Sequence, residues 1–142
     1  NYGIILYGMS EEKIFHDLEK YKDTKIVILT CATENQSSIS AYLKKDSDYS
    51  YYKNTKFTTC RKFKGLEADT VILIDLMPET FKGENKQLFY VGSSRVKLNL
   101  EMITTMNDNE CLTALNNLNY QKIRQNKLKA CMALALKANC LE

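Results

Sequence analysis

The sequence predicts an α/β fold, a mostly parallel sheet with helices on both faces, and three observations carry that expectation. Ile26-Val27-Ile28-Leu29 and Thr70-Val71-Ile72-Leu73-Ile74 are apolar runs without alternation, the pattern of strands buried on both faces of a parallel sheet. Segments with helical spacing lie between the strand-like runs, which implies crossover connections. The chain has 142 residues, 44% of them hydrophobic and 26% charged, enough for one globular core.

Taken in order, Ile4-Ile5-Leu6-Tyr7 reads as a strand or the end of one. Ser10, with Glu11 and Glu12 at the positive end of the dipole, opens a helix that runs to about Tyr21. Its apolar stripe is Ile14, Phe15, Leu18 and Tyr21, with Glu11, Lys13, Asp17 and Lys20 expected in water and His16 on the surface or packed. After the strand at Ile26, Ser37 to Lys45 is expected to be a helix with Ile39, Tyr42 and Leu43 inward. Asp46 to Asn54 reads as a loop and Lys56 to Cys60 as the next strand. The strand at Thr70 follows, Pro78 and Gly83 mark a loop, and Asn85 to Arg95 reads as a helix carrying Leu88, Phe89 and Val91. Leu98 to Ile103 is then a strand.

From Asp108 the pattern turns helical, with Leu112, Leu115 and Leu118 on one stripe and a second helix expected from about Tyr120 to Ala138, rich in Ala, Leu and Lys. The expected division is residues 1–104 as the sheet domain and 105–142 as a C-terminal helical hairpin. The chain starts without Met and ends in Leu141-Glu142, which resembles a cloning remnant, so a piece excised from a longer protein is expected.

Charge and cysteines set further bounds. With 20 basic and 17 acidic residues the net charge is only +3, so contact with a polyanion must rest on local clusters. Cys31, Cys60, Cys111, Cys131 and Cys140 are odd in number and show no CxxC spacing, which reads as free buried thiols of a reducing cytosol. One histidine and scattered thiols offer no zinc site of the usual spacing. No apolar run approaches the roughly 20 residues that span a bilayer, and no signal segment opens the chain, so a cytoplasmic protein without membrane contact is expected.

Two segments concentrate chemistry. Thr58 to Asp69 is a strand end, a basic turn with Arg61, Lys62, Lys64 and Gly65, and an approach to the strand at Thr70. Cations beside free backbone amides suit a phosphate, although a solvated basic turn has the same composition. In the second segment Leu88, Val91 and Arg95 share one helical face. An arginine there either snorkels or pairs within the fold, or directs its planar fork across an interface to a phosphate.

Together these segments resemble the UvrD/Rep-like superfamily 1 DNA helicases. The second RecA-like domain of that family carries T-x-H-x-x-K-G-L-E before an apolar strand, then Y-V-A-x-T-R-A on a helix. Here the first stands as Thr59-Cys60-Arg61-Lys62-Phe63-Lys64-Gly65-Leu66-Glu67 and the second as Tyr90-Val91-Gly92-Ser93-Ser94-Arg95-Val96. The resemblance covers residues about 24 to 103 and implies a RecA-like, P-loop NTPase-like sheet domain. It implies an ATP site in which Glu67 bonds the ribose, the backbone at Gly65 approaches the γ-phosphate and Arg95 is an arginine finger. Thr59, Arg61 and Lys64 would belong to the track for single-stranded DNA. Arg61 replaces the family's usual histidine, and Lys97 stands where a second arginine is common.

No G-x-x-x-x-G-K-[ST] loop and no acidic magnesium pair occurs, so the nucleotide cradle and the Mg²⁺ ligands are expected in a first RecA-like domain of the same polypeptide. This piece alone is expected to be inactive. Only residues 31–58 separate the strand at Ile26 from the Thr59 motif, which resembles the compact variants that lack a large inserted accessory domain. The rival expectation is a degenerate RecA-like module that docks nucleic acid or protein without ATPase activity. An unrelated Rossmann-like enzyme is disfavoured, since no G-x-G-x-x-G follows a strand.

Overall fold

The computed structural model describes residues 3–63 and 67–141. Eight strands form a single sheet: β1 (Gly3–Tyr7), β2 (Ile26–Thr30), β3 (Lys44–Asp46), β4 (Tyr49–Tyr52), β5 (Thr55–Thr59), β6 (Ala68–Ile74), β7 (Val96–Thr104) and β8 (Ala138–Leu141). Their spatial order is β3-β4-β5-β2-β6-β7-β1-β8. Every pairing from β5 to β8 is parallel, and only the pairings of β4 with β3 and β5 are antiparallel. The helices are α1 (Ser10–Lys20), α2 (Glu84–Ser94), α3 (Asp108–Asn117) and α4 (Leu128–Ala135). The expected α/β architecture with a mostly parallel sheet is therefore present.

The apolar runs without alternation become central strands because both of their faces are covered. Val27, Leu29, Val71 and Leu73 point to one side, where they meet Phe89 of α2, Cys111, Ala114 and Leu115 of α3, and Leu128 and Met132 of α4. Ile28, Ile72, Ile74 and Ile103 point to the other, under Ile14 of α1, Ile39 and Tyr52. Successive side chains of a strand alternate between faces, so a run buried on both sides has no polar position to spare.

Several expectations are corrected. On α1 the buried positions are Ser10, Ile14 and Asp17, while Phe15 is 58% exposed, so the stripe is rotated from the expected one and Asp17 lies inside, not in water. The expected helix over Ser37–Lys45 reduces to a single 3₁₀ turn, Ser40–Tyr42, because Leu43 and Lys44 extend into the hairpin of β3 and β4. Ile39, Tyr42 and Leu43 imitated helical spacing; Ile39 is buried in the core and Leu43 packs against it, while Tyr42 is exposed. The expected loop over Asp46–Asn54 contains β4, closed against β5 by a turn with positive φ at both Lys53 and Asn54, the pairing that a tight hairpin requires.

The tail differs most. α3 is close to its expected place, but the long second helix shrinks to Leu128–Ala135, and the backbone reverses through Lys137 at φ 56° into β8. β8 pairs with β1 from Gly3↔Ala138 to Leu6↔Leu141, so residues 105–141 supply two helices and also an edge strand of the same sheet. None of the helices among the described residues is long and apolar enough to cross a membrane.

Candidate functional site

At the amino end of β6 and β7, Glu67 and Arg95, two of the residues expected to contact nucleotide, come together. α2 packs tightly on the sheet at Gly92, where a Cβ would stand 3.1 Å from Cys60 Sγ and 3.3 Å from Leu29 Cδ1. One turn later Arg95 closes the helix, its N–H donating to the Gly92 carbonyl at 3.4 Å. The chain then turns directly into β7, and the Arg95 carbonyl accepts the Ala68 N–H at 3.4 Å. Ala68 and Val96 are register partners, so the preceding residues, Glu67 and Arg95, occupy one rim. Glu67 is exposed and Arg95 half-buried.

Beyond this point the ladder resumes at Thr70↔Asn99, a shift that gives β7 one extra residue between the two pairs. Such a bulge re-aims the side chains beside it, and here it carries Lys97 and the 68% exposed Leu98 next to Arg95. The rim thus presents a carboxylate, a guanidinium and an ammonium on adjacent strand starts. Gly65 and Lys64 lie outside the described residues.

A second constellation sits at the carboxyl ends of the strands. The chain leaves β2 towards β5 but leaves β6 towards β7, so the connections diverge and open a crevice, the place where parallel α/β sheets hold ligands. It is a cleft of about 740 Å³, floored by Thr30, Thr59 and Asp75 and walled by Arg61, Lys62 and Phe89. Thr59 and Arg61 therefore share a site, separated from Glu67 and Arg95 by the length of β6, roughly 20 Å.

The turn after β5 explains how Arg61 reaches the cleft. Thr59 Oγ1 accepts the Lys62 N–H at 3.2 Å and the Thr59 carbonyl accepts the Phe63 N–H at 3.0 Å. Phe63 anchors the turn in the core at 1% exposure, which leaves Arg61 and Lys62 in solvent. The Thr59 hydroxyl is engaged in this turn.

Sequence reasoning missed Asp75. It follows the buried run of β6, has φ 63°, and its Oδ2 accepts hydrogen bonds from Thr30 Oγ1 at 2.6 Å and Ser37 Oγ at 2.7 Å. Its Oδ1 accepts the Ser38 N–H at 3.1 Å, so one carboxylate ties the loop after β2 to the cleft floor. A left-handed backbone at an aspartate costs on the order of 1 kcal/mol and persists where surrounding bonds hold it. An acidic residue directly after a buried parallel strand was the available signal. The acids Glu34 and Glu79 also line the cleft, so its walls carry both signs of charge.

Among the described residues no group of three or more His, Cys, Asp or Glu side chains is placed to hold a metal ion. No family model matches the chain, and no curated protein matches it.

Proposed function

We propose that this chain is the second RecA-like motor domain of a superfamily 1 DNA helicase or translocase, completing an ATP site that it shares with a first domain of the same polypeptide. The observation that carries the reading is the joining of Glu67 and Arg95 on one rim through the Ala68–Arg95 backbone bond. A carboxylate and a guanidinium side by side suit the two ends of a nucleoside triphosphate, hydroxyls at one and phosphate oxygens at the other. Mg²⁺ would be held by the first domain.

ATP bound between the domains supplies the free energy for opening and closing them. Within this chain, Glu67 would accept the ribose hydroxyls, and Arg95 would place its fork on the transferring oxygens and stabilise the charge that builds there. Gly92 holds α2 against β2 and β5, so the arginine is delivered from a fixed helix end. Thr59 and Arg61 at the opposite strand ends would meet the backbone of a single strand, where the exposed Arg61 cation suits phosphates.

The test is Arg95→Ala in the polypeptide that carries both domains. Nucleotide binding is expected to persist while DNA-stimulated hydrolysis falls by about 10³-fold or more, as for other arginine fingers. Unchanged turnover would remove the finger. Single-stranded DNA binding with no hydrolysis by the parent protein would instead favour a docking module.

A further inference from the structure

Cys31 and Cys60 leave the ends of β2 and β5 side by side. The parallel ladder runs without a shift from Val27↔Lys56 to Thr30↔Thr59, and the next residue on each strand is a cysteine. The Cys60 N–H donates to the Thr30 carbonyl at 3.2 Å, so pairing continues to this position, and Cys31 is fixed from its other neighbour by donating to the Ile74 carbonyl at 3.0 Å. Adjacent strands lie about 4.8 Å apart. That spacing falls inside the roughly 4.4–6.8 Å between Cα atoms that a disulfide spans.

The side chains also share a face and an opening. Cys60 Sγ lies towards Gly92 of α2, Cys31 packs against the same apolar cluster, and both residues line the cleft. The two thiols interact, Cys31 offering its proton to Cys60. That contact raises Cys31 well above the ordinary thiol range, helped by burial and by the Asp75 carboxylate, and lowers Cys60. A lowered thiol is the one that attacks, and Cys60, although only 4% exposed, is reached through the cleft that it lines. Cys111 and Cys131, buried like Cys60, differ in lying on α3 and α4 away from the cleft lining.

We propose that Cys31 and Cys60 form a redox-active dithiol that low-molecular-weight disulfides oxidise reversibly, closing a covalent bridge across the cleft floor. The Cys60 thiolate attacks one sulfur of the small disulfide, forming a mixed disulfide and expelling one thiolate, which takes up a proton. Cys31 then loses its proton to solvent and attacks the Cys60 sulfur, releasing the second small thiol. Two protein thiols are oxidised and one small disulfide is reduced to two thiols. Because neighbouring strands hold their Cβ atoms farther apart than the roughly 3.8 Å of a relaxed bridge, the strand ends must draw together, and a strained bridge is readily reduced.

The experiment equilibrates the whole chain in glutathione buffers of increasing disulfide fraction, counts free thiols and maps the linked peptides by mass spectrometry. Two of the five thiols are expected to disappear together, with Cys31 joined to Cys60 and the change reversed by dithiothreitol. In Cys31→Ser the Cys60 sulfur should instead keep a glutathione, whereas Cys60→Ser should leave Cys31 largely unmodified. The wild-type map decides the matter even if a variant folds poorly: a bridge between any other pair, or glutathione retained on wild-type Cys60 without a bridge, overturns the proposal, as does the survival of both thiols.

Discussion

Asp17 is a buried carboxylate whose position bears directly on stability. It is 1% exposed beneath the sheet, its Oδ2 has no hydrogen-bond partner among the described residues, and neither has Oε2 of the buried Glu101 on β7. Burial, and then the Glu101 charge, push its pKa up to about 6, against the opposing pull of His16 and Lys20. An acid whose folded value is raised favours the protonated state, so its cost is absent below the unfolded value near 3.8, grows as pH rises towards about 6, and is complete above it. Asp17→Asn should therefore stabilise the fold at pH 8 by about 3 kcal/mol and change little at pH 4, as read from urea melts at both values. An equal effect at both pH values would refute the ionisation account. That Glu67 and Arg95 stand at the starts of neighbouring strands was legible in the sequence because the segments that place them are local. Asp17 and Asp75 were not, because burial and the partners Glu101, Thr30 and Ser37 come from distant segments.

Elements were legible where composition and environment agreed. β2 and β6 are buried on both faces and read so; α2 ends where its motif places Arg95. α3 also has a local start signal: Asn107 Oδ1 accepts the Glu110 N–H at 2.8 Å while Glu110 Oε1 accepts the Asn107 N–H at 3.0 Å. Asn107→Ala should cost about 1 kcal/mol in a denaturation midpoint shift, and no shift would mean that packing alone sets the helix start. β8 was illegible for the opposite reason. Ala-Asn-Cys-Leu has weak strand propensity, and it is strand because β1 offers it an open edge. Ending the chain after Lys137 should lower the melting temperature and produce larger species on gel filtration, since the bared edge of Ile4 to Tyr7 can pair with a second copy. A monomer of unchanged stability would show that β8 is dispensable.

At the scale of the whole molecule, the apolar pattern marks which strands are buried on both faces, but the order of the strands could not be read from it. β1, first in sequence, sits between β7 and β8. Its pairings, such as Ile4↔Glu101 and Gly3↔Ala138, join residues far apart in the sequence. Contacts of such sequence separation slow folding, and refolding from urea is expected on a time scale of roughly milliseconds to seconds. Stopped-flow fluorescence of the tyrosines reads it, and microsecond refolding would show that these pairings are not rate-limiting. The same placement bears on synthesis. A growing chain exposes the apolar Ile4-Ile5-Leu6-Tyr7 segment at the ribosome long before its partners β7 and β8 emerge, so β1 stays unpaired until those segments have been made, and shielding of that nascent segment favours productive folding over aggregation.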